Sequence, residues 1–468
     1  MSLVAGLDLG GSSVKAWVCD ASAPDRLLAS VTVPAPVLRP APHRVEFAPA
    51  EWEAICRTAL TDAVRRTDRP GGDYAGVTVG SLRQGFVLLD GAGEPLGTGV
   101  LNSDRRGERY AGVLDGQHRL TGHWPAPELT LPKLLAVQHD EPARWAATAR
   151  VLFVHDWLLW RMTGEQVTEV SYACAGAMAD VAGRRWATDL LEQCGVGSER
   201  LAPLVEAGHL VGRLGEGWGL PVALPVVSGC GDTQLAAMGV GGLGDGVVTV
   251  VAGSSTPVQV ATAAVVDDPL GRPWVSTHAA FDRWAAEGNA GYPGTVQGWW
   301  AGLVPRGSAE PVTGPSHVTA VTAAPYWSQQ TWERKPPTSL LGLRPETTAG
   351  DVADALEQAH AYAVRGNIDD LERALRRPAS AVVVTGGAAA DGRLPALLAR
   401  VLGRDVHWAE SGGAAQAGTV LVGRALGASP ATPALPTRVL PAGDPAPWQE
   451  AYERWTAATE ALRSALPG

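Results

Sequence analysis

Two segments that lie far apart in this chain share one pattern of strand, turn and strand. Apolar runs flank the turn Gly10–Ser13, and apolar runs flank the turn Gly253–Thr256 in the same way. The four runs are residues 4–9, 14–19, 247–252 and 257–260. Short apolar runs on either side of a glycine-rich turn are typical of β-hairpins. The repetition predicts two domains of similar plan that begin near residues 1 and 245.

Helical and strand patterns alternate along the rest of the chain. The apolar spacing after Pro49 is helical, and proline favours the first turn of a helix. A strand-like run precedes a helix-like run at residues 151–162 and again at residues 381–402. Such alternation is typical of α/β domains. A proline-rich stretch, residues 428–447, separates these patterns from a final helical segment, residues 448–466.

Length and composition favour a globular protein with more than one domain. The chain has 468 residues, of which 46% are hydrophobic and 18% are charged. At roughly 100–200 residues per domain, this length suggests two or three domains with ample apolar material for buried cores. The net charge of −10 argues against nucleic acid and against an anionic membrane surface as partners. A small-molecule substrate fits this composition better.

The cysteines and the N-terminus favour a reducing cytoplasm. The five cysteines are scattered, form no Cys-x-x-Cys pair, and lack the clustered histidine that would complete a zinc site. The start of the chain has neither the basic residues nor the apolar core of a signal peptide. No apolar run approaches the length of about 18 residues that a membrane-spanning helix needs. We therefore expect a cytoplasmic protein without membrane contact.

Two acidic turns are candidates for catalytic chemistry. Asp232 lies in the glycine-rich turn Ser228–Gln234, directly after an apolar run, and Asp8 precedes the turn Gly10–Ser13. A carboxylate at the end of a buried strand is well placed to accept a proton, and the two together suggest a phosphotransfer centre. Asp and Gly are also ordinary turn residues, so either motif alone is typical of plain structure.

Three glycine-rich turns could bind a phosphate or a nucleotide. Backbone N–H groups of Gly10–Ser13 and of Gly253–Ser255 could surround a phosphate, with Lys15 on the strand after the first turn. The third turn, Gly386–Ala389, joins a buried strand to a helix expected near Asp391, and a flat ring can approach the backbone there. A plain hairpin turn is the alternative for the first two. The sequence contains neither a Rossmann fingerprint in an opening strand-turn-helix nor a Walker motif.

In order and spacing, these motifs resemble the FGGY family of carbohydrate kinases, within the actin and hexokinase superfamily. The resemblance covers residues 3 to 427. The matching segments are residues 8–15 (first phosphate turn), 81–90 and 102–106 (sugar pocket), 231–234 (catalytic-base turn), 253–255 (second phosphate turn) and 386–404 (adenosine site).

The resemblance implies an α/β fold with two actin-like, ribonuclease H-like domains and an interdomain cleft. The implied boundaries are residues 1–242 for the N-terminal domain, 243–427 for the C-terminal domain, and 428–468 for a proline-rich linker and C-terminal helix. The implied reaction transfers the γ-phosphoryl group of ATP, with Mg²⁺ as cofactor, to a hydroxyl of a small sugar or polyol.

The resemblance also implies roles for individual residues. Asp232 is expected to act as the general base and, together with Asp8, to hold Mg²⁺. Arg83, Gln84, Asp104 and Asp232 are expected to bind the sugar. The residues expected to bind ATP are Gly11, Ser12, Ser13, Lys15, Gly253, Ser254, Ser255, Gly386, Gly387 and Ala388.

Two departures from the family pattern concern the nucleotide. Thr256 and Pro257 stand where the family usually keeps glycine, and Ala388 replaces a usual third glycine. A non-catalytic sugar sensor and an ATPase-type chaperone of the same superfamily are therefore alternatives, although Asp8 and Asp232 together favour catalysis. Xylulose, ribulose, glycerol, a tetritol and a linear autoinducer-like pentose derivative are all compatible substrates, and a homodimer is an open alternative to a monomer.

Overall fold

The structure is a computed structural model that describes residues 2–67, 69, 73–304, 312, 314–322, 338–410, 413–436 and 438–465. The chain forms two compact units. Unit 1 comprises Met1–Gly239, Val275–Trp284 and Gly413–Pro433, and unit 2 comprises Val240–Trp274, Ala285–Gly412 and Ala434–Gly468. Each unit contains its own buried apolar core.

The strands of the described residues range from two residues, as in β4, to twelve residues in β3. They are β1 (Leu3–Leu9), β2 (Ser13–Asp20), β3 (Ala23–Pro34), β4 (Glu46–Phe47), β5 (Tyr74–Ser81), β6 (Phe86–Leu89), β7 (Gly99–Val100), β8 (Arg150–Phe153), β9 (Thr168–Glu169), β10 (Ala179–Asp180), β11 (Arg185–Trp186), β12 (Leu204–Val205), β13 (Leu210–Arg213), β14 (Pro225–Gly231), β15 (Val247–Val251), β16 (Pro257–Thr262), β17 (Trp274–Thr277), β18 (Trp284–Asn289), β19 (Thr319–Val321), β20 (Ser339–Leu341), β21 (Ala381–Thr385), β22 (Val406–Trp408) and β23 (Val439–Leu440).

The helices alternate with these strands, as expected for an α/β protein. They are α1 (Pro49–Arg65), α2 (His118–Thr121), α3 (Thr130–Asp140), α4 (Pro142–Ala147), α5 (Val154–Thr163), α6 (Val170–Ala175), α7 (Thr188–Gln193), α8 (Asp232–Gly239), α9 (Pro293–Leu303), α10 (Ala349–Leu375), α11 (Arg393–Leu402), α12 (Ala414–Ala425) and α13 (Ala446–Ser464). None of the helices in the described ranges is both long enough and apolar enough to span a bilayer.

The main sheet of unit 1 brings three strand ends to one edge. Its strand order is β13-β14-β5-β1-β2-β3. β1 and β2 form the predicted antiparallel hairpin, in which Leu9 lies opposite Val14. β5 pairs parallel with β1, and β14 pairs parallel with β5. Because parallel strands end at the same edge of a sheet, the residues that follow β1, β5 and β14 are neighbours.

The main sheet of unit 2 repeats this arrangement. β15 pairs antiparallel with β16 and parallel with β21, and β21 pairs parallel with β22. The order β18-β16-β15-β21-β22 in unit 2 therefore matches β3-β2-β1-β5-β14 in unit 1. The prediction of a two-domain α/β protein is confirmed.

Helices cover both faces of the sheet in unit 1. Successive side chains of a strand point to opposite faces. Accordingly, Leu3 and Leu7 of β1 share a buried cluster with residues of α1 and α5, whereas Val4 shares a different cluster with Val422 of α12. The indole of Trp17 lies on the α12 side, where a Cβ atom added to Gly418 would come within 2.7 Å of the ring. Only glycine leaves room for this ring.

Candidate active site

The predicted base lies at the junction between β14 and α8. Asp232 is the first residue of α8 and follows Gly231, the last residue of β14. Its carboxylate accepts a hydrogen bond from the backbone N–H of Thr233 at 2.8 Å. The side chain keeps 40% of its surface exposed, so a substrate hydroxyl can reach it.

Arg83 lies beside this carboxylate. The Nε atom of Arg83 is 3.9 Å from Oδ1 of Asp232, and its guanidinium donates to the hydroxyl of Thr233 at 3.4 Å. A Cβ atom added to Gly231 would come within 2.9 Å of the Arg83 side chain, so the arginine packs directly against the turn that carries Asp232. The basic and acidic groups of the predicted sugar site are therefore adjacent.

Gln84 has an unusual backbone conformation. Its φ angle is +67°, in the left-handed region that residues other than glycine rarely adopt. The hydroxyl of Thr130 donates to the carbonyl of Gln84 at 3.1 Å and helps to hold this conformation. Backbone strain of this kind costs about 1–3 kcal/mol and is concentrated at functional sites. The strain supports a binding role for this turn.

Asp8 lies on β1 at the same edge of the sheet. In the register of the β1–β2 hairpin it is opposite Lys15. Burial and the negative charge of Asp232 raise the pKa of Asp8 to about 7, against the opposing positive charge of Lys15. The charge of Asp232 therefore acts on Asp8, although the two residues are far apart in sequence.

The first phosphate turn is a tight connection between β1 and β2. Gly10 donates its backbone N–H to the carbonyl of Ser13 at 2.9 Å, which closes the turn. Gly11 and Ser12 are exposed at its tip, and Ser13 is half-buried. Their backbone N–H groups and hydroxyls are accessible to an anion.

Asp104 has a different environment from the other predicted sugar ligands. It is fully buried, and its carboxylate accepts from the backbone N–H of Val45 at 2.6 Å and from the guanidinium of Arg106 at 2.8 Å. Burial alone would raise the pKa of Asp104, but these hydrogen bonds and the charge of Arg106 lower it. The structure thus ties the Asp104 carboxylate to Val45, which is distant in sequence, and to Arg106 in its own loop.

The two predicted nucleotide turns of unit 2 meet at Ala252. The carbonyl of Ala252 accepts from the backbone N–H of Ala388 at 2.9 Å, and its own N–H donates to Thr385 at 2.7 Å. Gly386 has a φ angle of +104°, and a Cβ atom there would lie 2.3 Å from the Ala252 oxygen. Gly386 is therefore required where the two turns touch.

Thr256 stands where the family usually keeps a glycine, and its side chain contacts a buried histidine of α10. Its hydroxyl lies 2.9 Å from Nε2 of His360 on α10, and both side chains are fully buried. Burial lowers the pKa of His360 to about 3, so the ring is neutral at physiological pH. On the other side of the turn, Gly294 at the start of α9 packs so closely that a Cβ atom would lie 2.1 Å from the Gly253 oxygen. The turn that contains Thr256 is therefore held by contacts with α10 on one side and α9 on the other.

Sequence reasoning missed several residues around the site. His360, Ser171 and Tyr172 were not singled out, although the last two contact the turn that carries Asp232. His360 lies in the middle of a long helix, and Ser171 and Tyr172 lie in an apolar segment that resembles ordinary core. Their only signal is a polar side chain within an apolar segment, and its partners cannot be identified from the sequence alone.

The two halves of the chain match two domains of one family. Residues 3–239 match the N-terminal domain of the FGGY family of carbohydrate kinases, and residues 248–426 match its C-terminal domain. The chain belongs to the FGGY family of carbohydrate kinases. It is accordingly a kinase, and the predictions of family and enzyme class are confirmed.

Individual relatives of this FGGY protein carry related names. A xylulose kinase from Klebsiella pneumoniae is 26% identical over 405 residues, which cover 82% of each chain. An autoinducer-2 kinase from Photorhabdus laumondii is 27% identical over 311 residues, which cover 63% of this chain and 58% of that protein. Among solved structures, a xyloylose kinase from Brucella ovis matches with a TM-score of 0.88 and 26% identity over 99% of both chains.

Proposed function

We propose that this FGGY kinase transfers the γ-phosphoryl group of ATP to a hydroxyl of a small sugar or polyol, with Asp232 as the general base. The observation that carries this proposal is the grouping of Asp8, Lys15, Arg83 and Asp232 at one edge of the unit 1 sheet. A turn can form without two carboxylates and two cationic side chains close together, so this grouping favours a chemical role.

Asp232 is proposed to accept the proton of the attacking hydroxyl. Phosphoryl transfer needs little covalent assistance, so the protein mainly holds the acceptor in line and takes up its proton. The exposed carboxylate on a short helix can approach a sugar hydroxyl, while Thr233 fixes one of its oxygens at 2.8 Å. This leaves the direction of the carboxylate defined before the substrate arrives.

Arg83 and Gln84 are proposed to bind the other hydroxyls of the sugar. The Arg83 guanidinium lies within 3.9 Å of the base, so it can bind a hydroxyl near the one that reacts. The left-handed turn at Gln84 presents its side chain from the same loop. For Asp104 we propose an indirect contribution, because its carboxylate is engaged by Val45 and Arg106.

The carboxylates of unit 1 fit a magnesium ion. Mg²⁺ prefers oxygen ligands, keeps several waters and usually takes one or two carboxylates. Asp8 and Asp232 supply such a pair. Burial and, to a smaller extent, the negative charge of Asp232 raise the pKa of Asp8 to about 7, and a divalent cation would favour its ionised form. When bound, Mg²⁺ would offset charge on the phosphate oxygens of the nucleotide.

The glycine-rich turns are proposed to bind ATP. In unit 1, Gly11, Ser12 and Ser13 offer backbone and hydroxyl donors, and Lys15 adds a positive charge. In unit 2, Gly253, Ser254 and Ser255 lie next to Gly386, Gly387 and Ala388, joined through Ala252. The close backbone packing at Gly386 supports a preformed site for the nucleotide.

The names of the relatives favour a small sugar-like acceptor without selecting one. The names of the similar proteins, xylulose kinase and autoinducer-2 kinase, both concern small acceptors. We therefore propose a ketopentose such as xylulose or ribulose, a small polyol, or an autoinducer-like pentose derivative.

ADP release with a substrate panel tests this proposal. Purified protein, ATP and Mg²⁺ are combined with xylulose, ribulose, glycerol, erythritol or linear dihydroxypentanedione, and ADP is measured by a coupled assay. Sugar-dependent release is expected for at least one compound. ADP release at the same rate with and without sugar would identify an ATPase instead, and sugar binding without release would identify a sensor.

A further inference from the structure

Strand β14 is irregular just before the proposed base. It pairs regularly with β5 up to Ser228, opposite Val79, and the register then shifts before Gly231 pairs with Ser81. Gly229 fills the irregular step, where a Cβ atom would lie 2.1 Å from the Val79 oxygen. A β-bulge interrupts the ladder of backbone hydrogen bonds, so the peptide groups nearby need other partners.

Two neighbouring side chains of α6 bind both ends of one peptide group in this irregular stretch. The hydroxyl of Tyr172 donates to the carbonyl of Cys230 at 2.8 Å. The backbone N–H of Gly231 donates to the hydroxyl of Ser171 at 3.2 Å. That carbonyl and that N–H belong to the same peptide bond, the one that joins Cys230 to Gly231. Its plane is fixed from both sides.

Further hydrogen bonds orient the two hydroxyls. Ser171 donates its hydroxyl proton to the carboxylate of Glu169, so its lone pairs are left to accept from Gly231. The phenol oxygen of Tyr172 accepts from the backbone N–H of Ser81 at 2.9 Å. Ser171, Tyr172, Glu169 and Ser81 are all fully buried, so water does not compete for these bonds.

The phenol of Tyr172 also connects the two loops of the site. Ser81 lies two residues before Arg83, and Cys230 lies two residues before Asp232. The hydroxyl oxygen of Tyr172 therefore binds the ends of both β5 and β14, the strands that lead to Arg83 and Asp232. The ring itself is held by stacking on His155, with 4.5 Å between the ring centroids.

We propose that Ser171 and Tyr172 are positioning residues that fix the Asp232 carboxylate by clamping the Cys230–Gly231 peptide. The inference rests on the proposed function, in which Asp232 is the base. With that peptide fixed, only the rotations about Gly231 and Asp232 itself separate the clamp from the carboxylate. An error of about 1 Å in the position of a reacting group can cost about 100-fold in rate, so loss of the clamp reduces turnover more than binding.

Removal of single hydroxyls tests the clamp. Tyr172→Phe keeps the ring and its stacking, and Ser171→Ala removes only the oxygen. We expect Tyr172→Phe to lower kcat about 10- to 100-fold and Ser171→Ala to lower it less. In both variants the KM values for ATP and sugar should change less than about threefold. The probe is D-xylulose or the panel compound with the highest rate. Tyr362→Phe, a buried tyrosine of unit 2, and Ser276→Ala, a buried serine of β17, are matched controls and should retain full kcat.

A double-mutant cycle separates positioning from general damage. In an Asp232→Asn background, Tyr172→Phe should have little further effect, because the group that it positions is already inactive. The clamp would be overturned if Tyr172→Phe reduced kcat equally in both backgrounds. It would also be overturned if Tyr172→Phe kept full kcat while Asp232→Asn was impaired. Either result would leave the proposed function standing. Full turnover in Asp232→Asn would overturn the proposed function itself.

Hydrogen exchange supplies a measurement that does not depend on the substrate. Tyr172→Phe should increase exchange in a peptide that spans residues 229–234, while peptides from unit 2 and the midpoint of thermal unfolding change little. Unchanged exchange in this segment would contradict the clamp. A uniform increase across unit 1 would instead assign Tyr172 to general stability and also overturn the inference.

Discussion

The two units share one strand order but place different chemistry at the ends of corresponding strands. In unit 1, β1 carries Asp8, β5 leads to Arg83, and β14 leads to Asp232. In unit 2, the corresponding β15 ends at Val251 and leads to the Gly253 turn, while β21 leads to Gly386-Gly387. Both sheet edges carry a glycine-rich turn after their first strand, and only the edge of unit 1 adds Asp8, Arg83 and Asp232 to it.

This difference shows how one architecture can support two tasks. Charged groups on strand ends can transfer a proton or bind a cation, whereas glycine-rich turns allow the close approach of a flat or anionic ligand. We infer that unit 1 contributes the proton transfer together with one phosphate turn, and that unit 2 contributes the other turns of the nucleotide site. The variants below would break or sharpen this division.

The largest effect is expected at the proposed base. Asp232→Asn should lower kcat by about 10²–10⁴, the usual contribution of a positioned acid or base, because the amide cannot accept the proton. Calorimetry should show that ATP still binds. Asp282→Asn, at an exposed aspartate of unit 1, is the control and should retain activity. Unchanged turnover in Asp232→Asn would remove the catalytic role from unit 1.

The next effect concerns the stability of unit 1. Asp104→Asn should reduce the free energy of unfolding by about 3 kcal/mol, because it removes one of the three carboxylates, those of Asp104, Glu46 and Glu141, that pair with the buried guanidinium of Arg106. Denaturant unfolding measures the change. Asp62→Asn, which removes an exposed ion pair with Arg65, should cost less than about 1 kcal/mol. A stable Asp104→Asn protein with a raised KM for sugar would instead support a direct sugar contact.

A third variant tests the backbone contact in unit 2. Gly386→Ala should destabilise the protein by about 3 kcal/mol and weaken ATP binding, because it combines a strained φ of +104° with a contact of 2.3 Å to the Ala252 oxygen. Gly298→Ala, in α9 of the same unit, is the matched control, since a Cβ atom there meets nothing within 4 Å. Thermal unfolding and nucleotide titration compare the two. Equal behaviour would mean that the turn is not rigid.

The smallest effect is a pH dependence at His360. Its pKa is about 3 in the folded protein, below the usual value of about 6.5 in an unfolded chain. Between these values the unfolded state binds the extra proton, so the contribution to stability is lost as the pH falls below about 6.5. Relative to His360→Gln, the wild type should lose roughly 2 kcal/mol between pH 7 and pH 5.

Urea unfolding of both proteins at each pH measures this difference. Titration of the other buried histidines is common to both chains and cancels. A constant difference in unfolding free energy across this range would mean that His360 is not held neutral, and the support beneath Thr256 would need another explanation.

Much of the fold could be predicted from local sequence patterns. The hairpin around Gly10, the helix that begins at Pro49, and the strand and helix pairs at residues 151–162 and 381–402 all agree with the structure to within a few residues. Each is specified by the periodicity of its own side chains and by a turn residue at its end. Such information is local, so one sequence is sufficient to read it.

Features that depend on distant partners could not be read in the same way. The pattern Asp104-Arg105-Arg106 gives no sign that Asp104 is buried against Val45, and the apolar surroundings of Tyr172 conceal its contact with Cys230. The bulge in β14 depends on pairing with β5, which lies far away in sequence. In each case the missing information is the identity of the neighbouring chain segment.

Unit 1 is assembled from pieces that are synthesised far apart in time. Its helix α12, which covers Trp17, follows most of unit 2 in the sequence. The ribosome must therefore complete nearly the whole polypeptide before the first sheet can cover this indole. Until then the nascent N-terminal half exposes an apolar face, which is the kind of surface that chaperones recognise. A fragment that ends at Gly239 would carry the same defect permanently.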